Sequence, residues 1–143
     1  MAKIFHYTFS TYNRQHILID DIAEYLGLLF EEICKNKGLK LICYNILIEH
    51  VHLLIEKNDA DRNEYVMKMI KGISSRRVFE KYSSNRLKFR KLWGRGYRAF
   101  EIRNVVELNR VIGYIKGQKI TGVDKRINSK WKPRRLVAGF REI

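Results

Sequence analysis

A chain of 143 residues with 45% hydrophobic and 12% aromatic side chains can bury a genuine core and most simply forms one domain. No apolar run approaches the length of a membrane span, the N-terminus lacks the pattern of a secretory signal, and Cys34 and Cys43 form neither a Cys-x-x-Cys pair nor a disulfide framework. A disulfide scaffold and a membrane span are excluded, and a cytoplasmic protein with two reduced thiols is expected.

The net charge of +14 is unevenly spread, with six Lys/Arg against eight Asp/Glu in residues 1–59 and twenty-three against seven in residues 60–143. General solubility does not need that asymmetry. A phosphate-rich partner does, because each neutralised phosphate releases counterions. Nucleic acid is therefore the leading partner, ahead of an anionic membrane surface, for which no basic amphipathic helix with an aromatic face stands out.

Residues 3–12 alternate aromatic with small or polar side chains and predict a first strand. Asp20-Asp21 followed by Glu24 predicts a helix start of the capping-box kind, and Ile22, Leu26, Leu29, Phe30 and Ile33 keep a helical period until Lys37-Gly38 stops it. Leu39 to Ile48 reads as a second strand running almost directly into a third, His50-Val51-His52-Leu53-Leu54-Ile55, with a tight antiparallel connection near Ile48 and Glu49. Alternation puts His50 and His52 on one face of that strand and Val51, Leu53 and Ile55 on the other.

Asp61 with Glu64 predicts the start of a second helix, with Tyr65, Val66, Met69, Ile70 and Ile73 on its apolar side. From Lys71 to Arg98 there are ten Lys/Arg and one acid, interleaved with Phe79, Tyr82, Phe89, Trp93 and Tyr97. Basic groups that track a backbone and aromatic faces that accept unpaired bases suit single-stranded nucleic acid. Phe79 and Trp93 read equally well as core. Among the cations, Arg76, Arg77, Lys88, Arg90 and Arg95 are candidates for backbone contact, each also readable as a solvated charge.

Gly94-Arg95-Gly96 predicts a turn, and Tyr97 to Ile102 a fourth strand. Asn104 followed by Glu107 opens a third helix whose packing stripe is Val105, Leu108, Val111, Ile112 and Ile115. Tyr114 falls off that stripe and shares a side of the helix with Gln118, four residues on. Gly113 and Gly117 flank the tyrosine, each costing about 1 kcal/mol relative to Ala.

The resulting order predicts an α+β fold, a ferredoxin-like or RRM-like sandwich: an antiparallel sheet with helices on one face, plus a C-terminal helix carrying the tyrosine. Residues 1–120 form the expected catalytic domain and residues 121–143 its basic tail.

The histidines would point from the open sheet face. If His50, His52 and the amide oxygen of Gln118 shared one divalent cation, Tyr114 would stand beside it, and a phenolate is a competent nucleophile for phosphorus. Two imidazoles and an amide oxygen suit Mn or Zn at least as well as Mg.

Four segments together resemble the single-tyrosine HUH transposases of small insertion sequences, with the repeat-associated tyrosine transposases as close relatives. They are Glu49-His50-Val51-His52-Leu53-Leu54, Ile70-Lys71-Gly72-Ile73-Ser74-Ser75-Arg76-Arg77, Leu92-Trp93 with Gly96-Tyr97, and Tyr114-Ile115-Lys116-Gly117-Gln118. The resemblance spans roughly residues 3–120. It implies a homodimer acting on single-stranded DNA, with hairpins near the element ends bound by basic surface, and no nucleotide cofactor or membrane. It also implies a divalent metal, Mg or Mn, held by His50, His52 and Gln118, and Tyr114 attacking the scissile phosphate to give a 5′-phosphotyrosine.

Three other readings fit parts of the pattern. A non-catalytic single-strand-binding module would explain the charge and leave His50, His52, Tyr114 and Gln118 idle. A two-histidine phosphodiesterase would want another His-centred motif, for which His6 and His16 are isolated candidates. A domesticated transposase that cuts host repeats shares the same chemistry.

Overall fold

The computed structural model describes residues 2–82, 87 and 91–117. Lys88, Arg90, Gln118 and the tail at 121–143 lie outside the described residues. Four strands, β1 (Ala2–Ser10), β2 (Lys40–Ile46), β3 (His50–Asn58) and β4 (Arg98–Ile102), form one sheet in the order β2-β3-β1-β4 with every neighbouring pair antiparallel. The helices are α1 (Asp20–Asn36), α2 (Asn63–Lys81) and α3 (Val105–Lys116). This is the expected ferredoxin-like arrangement. Among the described residues no helix is long and apolar enough to cross a membrane.

Strand alternation sorts the core into two layers. Tyr7 and Phe9 of β1 with Val51, Leu53 and Ile55 of β3 point to the face covered by α1 and α2, where they meet Ile22, Leu26 and Phe30 of α1 and Val66, Met67 and Ile70 of α2. On the opposite face Ile4, Leu54 and Ile102 meet Leu108, Ile112 and Ile115 of α3. The face expected to be open is therefore partly roofed by the tyrosine helix. A β-bulge between Leu41 and Cys43 lets the consecutive residues Ile42 and Cys43 both face α3, which widens its seat.

Local signals account for several boundaries. Helix α1 ends as predicted, with Gly38 at φ +71° and bonds from Leu39 N–H to Cys34 C=O and from Gly38 N–H to Lys35 C=O, the six-to-one and five-to-two pair of a Schellman motif. Asn104 caps α3 by accepting from Glu107 N–H at 2.9 Å. The turn between β2 and β3 closes through Leu47 N–H on His50 C=O at 2.8 Å.

Two local expectations differ. Ile19 and Arg62 occupy the cap positions of α1 and α2 without side-chain caps, and Asp20, Asp21 and Glu64 place negative charge in the first turns. The buried stripe of α2 is Val66, Met67, Ile70, Ser74 and Val78, rotated from the expected one, with Tyr65 56% exposed. The rotation has a polar cause. Ser74 is drawn inward to accept the indole N–H of Trp93 at 2.8 Å.

Trp93 itself packs edge-on to Phe9 with ring centroids 4.7 Å apart, and Phe79 and Tyr82 pack against the same core. Of the two readings open for Phe79 and Trp93, packing is the one realised.

Candidate active site

The face that α3 shares with the sheet is only half apolar. On β1, residues His6, Thr8 and Ser10 point the same way as His50 and His52, because the antiparallel register pairs Thr8 with His52 and Ser10 with His50. These side chains floor a cleft of about 710 Å³ whose rim carries Arg14, Arg95, Arg98 and Tyr114.

Each histidine is held through one nitrogen. His50 Nδ1 lies 2.7 Å from Glu49 Oε1, and since a carboxylate only accepts, Nδ1 is the donor in this bond. The other oxygen of Glu49 accepts from Arg14 at 2.7 Å, and Arg14 also donates to Ser10 Oγ at 2.8 Å. His52 Nδ1 lies 2.9 Å from His6 Nε2, with the two rings stacked at 5.2 Å.

The Nε2 of His52 is buried and has no hydrogen-bond partner. Burial, with the neighbouring His50 and His6 adding to it, pushes the His52 pKa down to about 3, and burial lowers that of His6 as well. Both rings are neutral at pH 7, so one proton lies between them.

An orphaned imidazole nitrogen beside a second imidazole whose far nitrogen is held by a carboxylate is the donor set a divalent cation requires, second shell included. The site fits the expected metal on that ground. Among the described residues no three His, Cys, Asp or Glu side chains are grouped as a complete ligand set. The two histidines are what the sheet contributes.

Tyr114 stands over this floor. Its ring meets His52 edge-on at 5.7 Å and perpendicular, and His6 at 6.3 Å, while the side chain stays 54% exposed. Helix α3 is fixed there by its apolar stripe and by Asn45, the cross-strand partner of His52, whose buried amide donates to Ile115 C=O at 2.6 Å. The anchor therefore acts one residue from the tyrosine.

Of the residues singled out in the sequence, the structure brings together His50, His52, Tyr114 and Arg95 at one cleft. It places Arg76 and Arg77 on α2, across the sheet. There Arg76 borders a shallow apolar groove and Arg77 pairs with Glu32 of α1 at 3.5 Å. Glu49, Arg14, Arg98 and Asn45 carried no role on sequence grounds, and His6 stood only as an isolated candidate for a second histidine motif. The polar side of β1 was a usable signal for His6, but only the strand register puts it against His52.

The family profile described as "Transposase IS200 like" matches residues 2–118. The ISDra2 transposase TnpA of Deinococcus radiodurans is 31% identical over 90 residues, 63% of this chain and 62% of that protein. The transposase for insertion sequence element IS200 of Salmonella typhimurium is 23% identical over 95 residues, covering 65% and 62%. The chain thus spans less than two thirds of these relatives' length.

Among solved structures, a candidate transposase of Deinococcus radiodurans R1 superposes with a TM-score of 0.67 at 24% identity, covering 85% of this chain and 94% of that one. A repeat-associated (REP) tyrosine transposase bound to a REP hairpin gives 0.61 at 16%, covering 80% and 64%. At these identities the two structures speak for the fold.

Proposed function

The chain belongs to the IS200-like transposase family, and from that premise we propose that it cleaves and rejoins single-stranded DNA through a covalent phosphotyrosine on Tyr114. The observation that carries the reading is the perpendicular contact of Tyr114 with His52 at 5.7 Å, on the face where His52 keeps a buried nitrogen without a hydrogen-bond partner and His50 stands beside it.

In this reading the Tyr114 oxygen forms a bond to the scissile phosphorus and the bond from phosphorus to the 3′ oxygen breaks. The phenol gives up its proton and the departing 3′ oxygen takes one. The strand's 5′ phosphate is then held on the tyrosine, and reversal with a different 3′-hydroxyl rejoins it without ATP.

His50 and His52, with Gln118, would hold Mg or Mn, which supplies Lewis-acid stabilisation of the charge that builds on the phosphate. Glu49 and His6 fix the ring orientations through the opposite nitrogens. Arg14, Arg95 and Arg98 give the rim the charge to hold neighbouring phosphates. The partner is single-stranded DNA, with hairpins near the ends of an element as the recognised feature, and the working unit is a homodimer in the cytoplasm.

The test is incubation with labelled single strands carrying the DNA that flanks the gene, with Mg or Mn, read on a denaturing gel. A label that migrates with the protein, requires the metal and is absent from Tyr114→Phe is expected. Tight binding with no adduct on those ends would overturn catalysis and leave a binding module.

A further inference from the structure

The segment 92–96 forms one wall of the cleft, and it is tied down at almost every residue except one. Leu92 C=O accepts from Tyr12 N–H at 2.9 Å, Trp93 donates its indole N–H to Ser74, and Gly94 N–H donates to Ser10 C=O at 2.8 Å. The carbonyls of Gly94 and Gly96 both accept from the ammonium group of Lys71, each at 2.8 Å. Between those two carbonyls sits Arg95, exposed at the cleft.

The loop chemistry is consistent with a built support. Gly96 has φ +82°, where a side chain would be strained, and a Cβ on Gly94 would stand only 3.3 Å from the Thr11 carbonyl oxygen, so the path of the chain favours glycine at both positions. Lys71 reaches the loop from α2, on the far side of the sheet from the histidines, passing 5.7 Å from the centre of the Phe9 ring. Ser74, three residues along the same helix, donates to Lys71 C=O at 3.2 Å while accepting from Trp93. One turn of α2 therefore secures the loop at three of its residues. The basic, hydroxyl-rich run that begins at Lys71 and the Leu92-Trp93, Gly96-Tyr97 pattern become a single device.

We propose that Lys71 is a positioning residue: its ammonium group clamps the loop at Gly94 and Gly96 so that Arg95 is presented to a backbone phosphate of a strand lying in the cleft. The proposal rests on the reading of that cleft as a single-strand site. Lys71 does not touch the strand in this arrangement. Three freely rotating donors on a compact centre reach both carbonyls from one point, whereas an arginine would have to meet them with donors fixed in a plane on a longer side chain.

The test is equilibrium binding of a fluorescent oligo-dT to the full chain without metal, over a salt series, for wild type, Lys71→Met, Arg95→Ala and the double variant, with melting temperatures alongside. Lys71→Met is expected to weaken binding about tenfold and to reduce the salt slope by about 0.7, the loss of one phosphate contact. The same change is expected for Arg95→Ala, with no further loss in the double variant. Lys71→Arg, which keeps the charge and alters the clamp, is expected to weaken binding about threefold and to show the same non-additivity, so it serves if the methionine variant does not fold. Additive losses would overturn the proposal by showing that Lys71 contacts the strand itself, and so would wild-type affinity in both Lys71 variants. Failure of the wild type to bind any single strand would instead remove the reading of the cleft, and the proposal with it.

Discussion

The two faces of the sheet are built from the same strands and serve opposite ends. Toward α1 and α2, β1 and β3 present Tyr7, Phe9, Val51, Leu53 and Ile55, all buried in one apolar layer. One residue along in each strand, toward α3, they present His6, Thr8, His50 and His52. The first face holds the fold by removing apolar area from water. The second gives up part of that burial to seat three imidazoles, one of them with a buried nitrogen that has no hydrogen-bond partner. Stability and chemistry are separated by a single step of strand alternation, so substitutions on the two faces should have separable effects.

The largest separation is expected between Tyr114→Phe and Leu53→Ala. Tyr114→Phe should abolish the covalent adduct, by at least about a thousandfold, with an unchanged melting temperature, since removal of a nucleophile is not compensated by binding. Leu53→Ala should cost about 2–5 kcal/mol in urea unfolding while the folded fraction still forms adduct. A Leu53→Ala protein of normal stability would mean that the apolar face is not where the fold is held.

Acid should act on the chemical face alone. His52, held near 3, and His6, also lowered, refuse protons that the unfolded chain accepts near 6.5, so stability is complete above about pH 6.5 and falls as the pH drops toward 3. For His52 this is about 2 kcal/mol between pH 7.5 and pH 5. Urea melts in EDTA would measure it, and His52→Leu should flatten the dependence. An equally steep loss in that variant would move the cause elsewhere.

Asn45→Ala stands between the two behaviours. Loss of its bond to Ile115 C=O should cost about 1–3 kcal/mol and should also lower adduct formation, because the anchor of the tyrosine helix is gone. Activity that persists at wild-type level in the folded fraction would show that the apolar stripe of α3 alone places Tyr114. The smallest effect is expected from Arg76→Ala, across the sheet, which should leave cleavage of a minimal single strand within about twofold of wild type, against a larger loss for Arg95→Ala.

The same separation explains what could be read from the chain. Elements, their order and the ferredoxin-like class followed from periodicity, from Gly38 and from Asn104, because these are local signals. His50, His52 and Tyr114 stood out because each broke an apolar pattern at a legible phase. Asn45 escaped, and His6 stayed an isolated candidate, because their meaning depends on register: His6 matters only beside His52, and Asn45 only because it lies opposite His52 and under Ile115. The buried Ser74 escaped for a related reason, since a hydroxyl reads as surface until the indole that it receives is known.

The bulge in β2 carries a consequence for how this chain tolerates change. Leu41 pairs with Ile55 and Cys43 with Leu54, so Ile42 is the one residue of that strand outside the pairing ladder. Loss of either Ile42 or Cys43 would close the ladder, the remaining residue pairing with Leu54 and facing α3, and would leave Tyr44 and Asn45 on their present faces. The strand thus has a seam where its length can change by one without scrambling the active face. Lineages of this fold could shift the seat of the tyrosine helix at that point while keeping the histidines where they are.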